Sequence, residues 1–276
     1  MTIAPPLLAF IGAGNMGRCL IGGLLANGYP ATRIRAADAD ATQLAALNQS
    51  FPVATTTDNV QAASGADIVV LAVKPQQMRA VATALAPVLA ARPSLVVSIA
   101  AGIATRDLAR WLGTSSIVRA MPNTPALMRS GISGLYAAPG VGAAQRAQAE
   151  NILRAVGLVV WVADEDLIDA ITAVSGGGPA YFFLIMELMQ SVAQKLGLTA
   201  DQARTLVIQT ASGAARMARE GGADVTVLRG RVTSAGGTTE RALRVMQEAG
   251  LAEIFDRALT AAKARSAEMA RQYGEE

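Results

Sequence analysis

The stretch Phe10-Ile11-Gly12-Ala13-Gly14-Asn15-Met16-Gly17 decides how the rest of the chain is read. Gly12, Gly14 and Gly17 form the pattern G-x-G-x-x-G. In a strand-to-helix turn the first glycine allows the tight bend, the second lets the backbone approach a diphosphate, and the third lets helix and strand pack closely. The context suits this reading. Leu7–Ile11 is short and apolar, as a buried strand should be. A helix is expected from Asn15 to Asn27, with Gly28 where a helix stop belongs. The diphosphate would lie on the unpaired N–H groups at the helix start. A dinucleotide-binding βαβ unit is therefore expected at the head of the chain.

Beyond this unit, Arg33–Ala37 reads as a second strand and Ala41–Gln49 as a second helix. Ile68–Val73 is an uninterrupted apolar run with β-branched residues, which suits a strand buried on both faces of a parallel sheet. Gln76–Ala90 is helical in pattern, with Pro87 expected to disturb its end. Further strands are expected at Leu95–Ile99, Ser116–Ala120, Ser133–Ala137 and Leu158–Val162, and helices at Thr105–Leu112 and Ala143–Val156. This alternation implies an α/β fold: a doubly wound, mostly parallel sheet over residues 1–163.

From 164 to 276 the pattern is helical throughout. Leu167–Val174 is one helix. Pro179–Leu196 is apolar nearly all round, with Tyr181, Phe182, Phe183, Leu184, Ile185, Met186, Leu188 and Met189. A helix without a polar face is usually buried on every side. So small a domain can hardly cover it alone, which points to a subunit interface. Thr199-Ala200-Asp201-Gln202 has capping-box spacing, and the helix it starts ends at Gly221-Gly222. Thr239–Ala249, stopped by Gly250, and Leu251–Gln272 complete the set.

Composition narrows the chemistry. With 52% hydrophobic and 16% charged residues the chain has the composition of a packed globular protein, not of a disordered one. The net charge of +3 comes without a dense Lys/Arg block, so a small anionic ligand is a better partner than a nucleic acid. Cys19 is the only cysteine, which excludes an internal disulfide and a thiolate zinc site. There is no histidine, which excludes His-based triads, His-ligated zinc and a His proton shuttle. No metal site is expected. A cofactor must do the difficult chemistry, or Lys, Asp, Glu, Ser, Thr or Tyr must handle the protons. Met1–Pro6 lacks the basic region of a signal peptide, and the apolar run Ala180–Met189 contains Glu187 and is too short to span a bilayer. A soluble, cytoplasmic chain without membrane contact is expected.

Candidate ligand-binding positions cluster in three places. Asp38 lies near the end of the second strand, where an acidic group would hold the adenosine ribose diol of NAD; an ordinary turn aspartate is the alternative. Arg33 and Arg35 are near it and could serve a 2′-phosphate instead. Three loops are expected at the carboxyl edge of the sheet: Ala72-Val73-Lys74-Pro75, Ala100-Ala101-Gly102 and Met121-Pro122-Asn123-Thr124-Pro125. Together they suit a nicotinamide pocket. The third cluster, Val232-Thr233-Ser234-Ala235-Gly236-Gly237-Thr238-Thr239-Glu240, precedes a helix. Its glycine N–H groups, its hydroxyls and the helix dipole would make a carboxylate cradle. The alternative is an ordinary N-cap at Thr238 or Thr239.

These residues together resemble the pyrroline-5-carboxylate reductases. The matches run through Phe10–Gly17, Ala72–Gln76, Val97–Ile103, Arg119–Leu127, Asp166–Thr172, Ser175–Tyr181 and Leu228–Leu243. The resemblance implies reduction of the cyclic imine Δ1-pyrroline-5-carboxylate to L-proline, the last step of proline synthesis, by NAD(P)H. It favours NADP, with NADH brought into play by Asp38. It implies a Rossmann-type domain followed by an all-α dimerisation domain, a homodimer often assembled into decamers. By position, the cofactor would touch Gly12, Ala13, Gly14, Asn15, Met16 and Gly17, then Asn59, Ala72, Val73, Lys74, Pro75, Ala100, Ala101 and Gly102. Ser234, Gly236, Gly237 and Thr238 would hold the substrate carboxylate, Thr239 would bond the imine nitrogen and aid its protonation, and Glu165 would lie near the substrate. The chain departs from the family pattern at Ala235, where proline is usual, at Gly177, where a serine is common, and at Asp38. Two rival readings are a β-hydroxyacid dehydrogenase-like enzyme and a non-catalytic dinucleotide sensor. The first needs a catalytic lysine in the second domain, where only Lys195 and Lys263 stand, neither in a Gly-rich helix entry.

Overall fold

The computed structural model describes residues 4–275. The first part alternates β1 (Leu8–Ile11), α1 (Asn15–Ala26), β2 (Ile34–Ala37), α2 (Ala41–Ser50), β3 (Ala54–Thr56), α3 (Asn59–Ala63), β4 (Ile68–Leu71), α4 (Pro75–Ala91), β5 (Leu95–Ser98), α5 (Thr105–Leu112), β6 (Ile117–Met121), β7 (Gly131–Ala137), α6 (Ala143–Arg154) and β8 (Gly157–Trp161). The sheet order is β3-β2-β1-β4-β5-β6-β7-β8. All neighbouring pairs are parallel except β6 with β7. The chain runs outward from β1 to β3, then returns to β4 on the other side of β1. The loops after β1 and β4 therefore part, and a crevice opens at the carboxyl edge of the sheet.

β1 and β4 are apolar at every position because both faces of the sheet are covered there. Leu8, Phe10, Ile34, Ala36, Ile68, Val70, Leu95 and Val97 point to one face and meet Leu20, Ile21 and Leu24 of α1, Leu44 and Leu47 of α2, and Ile152 and Leu153 of α6. The alternate residues Ala9, Ile11, Val69, Leu71, Val96 and Ile117 meet Met78, Leu85 and Leu89 of α4 and Leu108, Trp111 and Leu112 of α5. Each such buried aliphatic or aromatic side chain contributes about 1.5–3 kcal/mol. α4 runs to Ala91, close to the expected end at Ala90, with Pro87 inside its last turns. The proline lies exposed, so water can reach the freed carbonyl of Thr83, and the buried Leu85 and Leu89 hold both flanks. The short β3 and α3 carry no periodicity strong enough to have been expected.

After β8 come α7 (Leu167–Ile171), a π-helical turn at Thr172–Gly176, α8 (Gly178–Lys195), α9 (Ala200–Glu220), α10 (Val225–Arg231), α11 (Thr238–Glu248) and α12 (Leu251–Glu275). The π turn has a local cause. The hydroxyls of Thr172 and Ser175 donate to the carbonyls of Ile168 and Ile171, and Gly177 N–H donates to the Thr172 carbonyl five residues back.

By packing, the chain forms two compact units: residues up to Gly177 together with those from Ala261 onward, and Gly178–Thr260. This division falls later than the change of pattern at 164. Helix α7 belongs with the sheet: Ile168 is buried, and a Cβ on Gly134 of β7 would stand 2.3 Å from Ile171 Cδ1. The end of α12 also joins the first unit, where Ser266 Oγ donates to Asp169 at 2.7 Å and Gln76 donates to the Tyr273 hydroxyl at 2.9 Å.

In the second unit the capping box forms as its spacing implies: Gln202 N–H donates to Thr199 Oγ1 at 3.2 Å and Thr199 N–H to Gln202 Oε1 at 2.9 Å. Little else there is buried. Phe182 and Phe183 of α8 are 64% and 65% exposed, beside the exposed Leu184, Leu188, Met189 and Val192. By length and composition alone, Leu167–Lys195 is apolar enough to cross a membrane.

Candidate active site

The glycine loop has the geometry its sequence requires. Gly12 has φ +106°, and a Cβ there would stand 2.6 Å from the Ala72 carbonyl oxygen. A Cβ on Gly17 would stand 2.3 Å from the Gly12 carbonyl oxygen. Gly14 differs: nothing lies within 4 Å of its Cβ position. It is the N-cap of α1 and the helix start has no side-chain cap, so the N–H groups of the first turn face open space. A diphosphate fits there. Ala13 is not free in the same way. It is buried, and its N–H donates to Asp38 Oδ2 at 2.7 Å.

The neighbouring loops reach the same edge. Ala72 and Val73 follow β4, Lys74 is the N-cap of α4 without a side-chain bond, and Pro75 opens that helix. Asn59 opens α3 after β3. Ala100, Ala101 and Gly102 follow β5. Gly102 is buried with φ +69°, and its Cβ position lies 2.9 Å from Met269 Cβ, so close packing of the last helix already requires a glycine there. Asn123, after β6, is 9% exposed; it accepts from Ile132 N–H at 2.9 Å and donates to the Ser175 carbonyl at 3.1 Å. It fastens its loop to the π turn.

Arg33 and Arg35 do not approach Asp38 as phosphate ligands. Arg33 donates to the Pro5 carbonyl at 2.8 Å and pairs with Asp67 at 3.4 Å, while Arg35 donates to the Ser64 carbonyl at 2.7 Å.

Glu165, expected near the substrate, has both carboxylate oxygens engaged inside the first unit. It accepts from Thr105 N–H at 2.7 Å, from Thr105 Oγ1 at 2.5 Å and from Arg119 at 3.0 Å. Arg119 also pairs with Asp169 at 3.4 Å, and its side chain is 4% exposed. Among the described residues its Nε has no partner. Thr105 opens α5, so Glu165 supplies that helix with the cap its own N-cap residue, Ala104, cannot provide. No periodicity in the sequence marks Arg119 or Thr105.

In the second unit, Gly237 is the N-cap of α11 and makes no side-chain cap bond. The two threonines that could have capped this helix stand inside its first turn instead. Among the described residues the hydroxyls of Ser234, Thr238 and Thr239 have no partner. The glycines are less available than expected: Gly236 N–H donates to Glu240 Oε2 at 2.6 Å and Gly237 N–H to the Ser234 carbonyl at 3.0 Å. The free donors are thus the three hydroxyls and the N–H groups of Thr238, Thr239 and Glu240, which precede the first intrahelical bond.

A family model described as pyrroline-5-carboxylate reductase dimerisation matches residues 165–269, and one described as NADP oxidoreductase, coenzyme F420-dependent, matches residues 7–102. The pyrroline-5-carboxylate reductase of Pseudomonas aeruginosa is 52% identical over 99% of this chain and 100% of its own length. The chain belongs to the pyrroline-5-carboxylate reductase family. Solved reductases agree with its fold. The one from Coxiella burnetii, 49% identical, superposes with a TM-score of 0.92 over 96% of this chain and 98% of its own. The one from Plasmodium falciparum, solved with NADP bound, is 27% identical with a TM-score of 0.85 over 97% of this chain and 99% of its own. Membership in this reductase family displaces the hydroxyacid dehydrogenase and sensor readings. It also gives the bare apolar face of α8 its context, a dimerisation module.

Proposed function

We propose that this chain reduces the C=N bond of Δ1-pyrroline-5-carboxylate to give L-proline, with a reduced nicotinamide dinucleotide on the glycine loop. The observation that carries the reading is the set of unengaged hydroxyls of Ser234, Thr238 and Thr239 at the start of α11. A small carboxylate fits the Ser234 and Thr238 hydroxyls and the free N–H groups, which the helix dipole makes attractive to an anion. Thr239 Oγ1 orients the imine nitrogen and keeps it protonated, which makes the ring carbon a better hydride acceptor. The dinucleotide, when bound, supplies the hydride. Gly12, Gly14, Asn15, Met16 and Gly17 cradle its diphosphate, with Asn59, Lys74 and the loops after β4 and β5 along its length. Glu165 acts only by holding α5 in place. The resemblance favours NADPH; the choice between the two dinucleotides falls to the adenosine end, at Asp38.

Steady-state assays with pyrroline-5-carboxylate, following loss of the reduced nicotinamide absorbance, test this. Thr239→Ala is expected to lower kcat about tenfold or more, the scale of one positioned proton-handling contact. Ser234→Ala is expected to raise KM chiefly. An unchanged rate in folded Thr239→Ala removes Thr239 from the chemistry, and a fall in kcat without a rise in KM for Ser234→Ala removes the carboxylate cradle.

We infer further that a second copy covers α8, giving a homodimer that serves as the unit of a decamer, in the cytoplasm. An exposed Phe183 in an isolated chain would cost burial energy that a dimer recovers. Phe183→Glu should shift the protein to monomer in size-exclusion chromatography with light scattering. A dimer of unchanged stability would place the interface elsewhere.

A further inference from the structure

The loop after β2 is held unusually firmly. Asp38 Oδ2 accepts Ala13 N–H at 2.7 Å and Asp38 Oδ1 accepts Asp40 N–H at 2.9 Å. The carboxylate is thus pinned against the glycine loop, on the side of β1 where an adenosine would lie. Each oxygen keeps a second lone pair, enough to accept from the two hydroxyls of a ribose.

The surrounding charge is one-sided. From Ala36 to Val73 the sequence contains no Lys or Arg. Over the same span Asp40 caps α2 through Thr42 and Asp58 caps α3 through Val60 and Gln61, so two more carboxylates are fixed after β2 and β3. Bonds from the Thr42 hydroxyl and N–H hold the Asp40 carboxyl below its ordinary range. Arg33 and Arg35 are engaged by Pro5, Asp67 and Ser64. Lys74 follows β4, on the far side of β1 from β2, and Arg18 belongs to the first turn of α1, with no fixed partner among the described residues. A 2′-phosphate beside Asp38 would meet carboxylates and no fixed cation.

We propose that Asp38 makes this chain select NADH over NADPH, an inference that rests on the dinucleotide reading of the glycine loop. It works in two ways. The carboxylate accepts from the ribose 2′- and 3′-hydroxyls, and its charge repels a phosphate at the 2′ position. The contact to Ala13 ties this discrimination to the loop that holds the diphosphate.

Equilibrium titration of NADH and of NADPH, followed by nicotinamide fluorescence, tests it on the wild-type protein and on Asp38→Asn. Asparagine keeps one acceptor oxygen for Ala13 N–H, removes the charge, and gives up the exposed bond from Asp40 N–H to water. NADH is expected to bind about tenfold tighter or more in the wild type. In Asp38→Asn the ratio should fall close to one, with unchanged thermal unfolding. Equal or tighter NADPH binding by the wild type overturns the proposal, as does an unchanged ratio in Asp38→Asn. Binding of neither dinucleotide would overturn the reading of the glycine loop, and this inference with it. In Arg18→Ala, a loss confined to NADPH would reveal a 2′-phosphate partner and count against Asp38; an equal loss for both dinucleotides supports a role at the diphosphate.

Discussion

Gly14→Ala keeps the fold and loses the dinucleotide. At Gly14 the backbone has φ −67°, which alanine adopts freely, and no atom lies within 4 Å of the new methyl group. Thermal unfolding should match the wild type. The methyl group would instead stand where the diphosphate must approach. Two charge-assisted hydrogen bonds at about 1.5 kcal/mol each correspond to a Kd raised roughly a hundredfold. Gly17→Ala behaves differently, because its Cβ would stand 2.3 Å from the Gly12 carbonyl oxygen, a backbone atom that cannot step aside. Overpacking of this kind costs about 1–3 kcal/mol and should lower the unfolding temperature by about 5 °C or more. Fluorescence titration of NADH beside thermal unfolding separates the two. Wild-type affinity in Gly14→Ala would mean that the open space over the glycine loop is not the diphosphate site.

Arg119→Met should be the most destabilising change in the first unit. Arg119 is almost fully enclosed and faces the carboxylates of Glu165 and Asp169, whose side chains are 20% and 12% exposed. Removing it strands two negative charges in a poorly hydrated place, at a cost of about 3–5 kcal/mol. Those carboxylates also cap α5 through Thr105 and hold α12 through Ser266, so the damage spreads to both helices. The expected result is a clear loss of stability in urea unfolding. Adding Glu165→Gln and Asp169→Asn to Arg119→Met should recover much of it, since no charge is then left unpaired. If the triple variant is no more stable than Arg119→Met, charge burial is not the cause, and the loss lies in the shape of the arginine side chain.

Some of this was legible in one dimension. The βαβ opening could be read because its requirements are local: a bend at φ +106°, an unobstructed helix start and a close strand–helix contact all demand glycine at set spacings. β1 and β4 could be read because burial on both faces leaves only apolar residues in them. The Thr199 capping box is also local, since both partners lie within one turn. At α11 local reasoning went astray. Spacing allowed a Thr238 or Thr239 cap and free glycine donors, but Gly237 takes the cap position and Glu240 reaches back to Gly236. A one-residue shift in the helix start settles which groups remain for a ligand.

Neighbouring residues alone specify the tight bend at Gly12, the strands buried on both faces, and the apolar helix that needs a cover. These follow from backbone sterics and from the periodicity of burial. Partners far apart in the chain are set by packing. Asp38 meets Ala13 because β2 lies beside β1, Glu165 meets Thr105 and Arg119 because α7 folds onto the sheet, and Ser266 returns to Asp169 from the last helix. A carboxylate in the sequence can take any donor within reach. Which donor it takes depends on elements brought together by packing: Asp38 takes Ala13, and Glu165 takes Thr105 and Arg119.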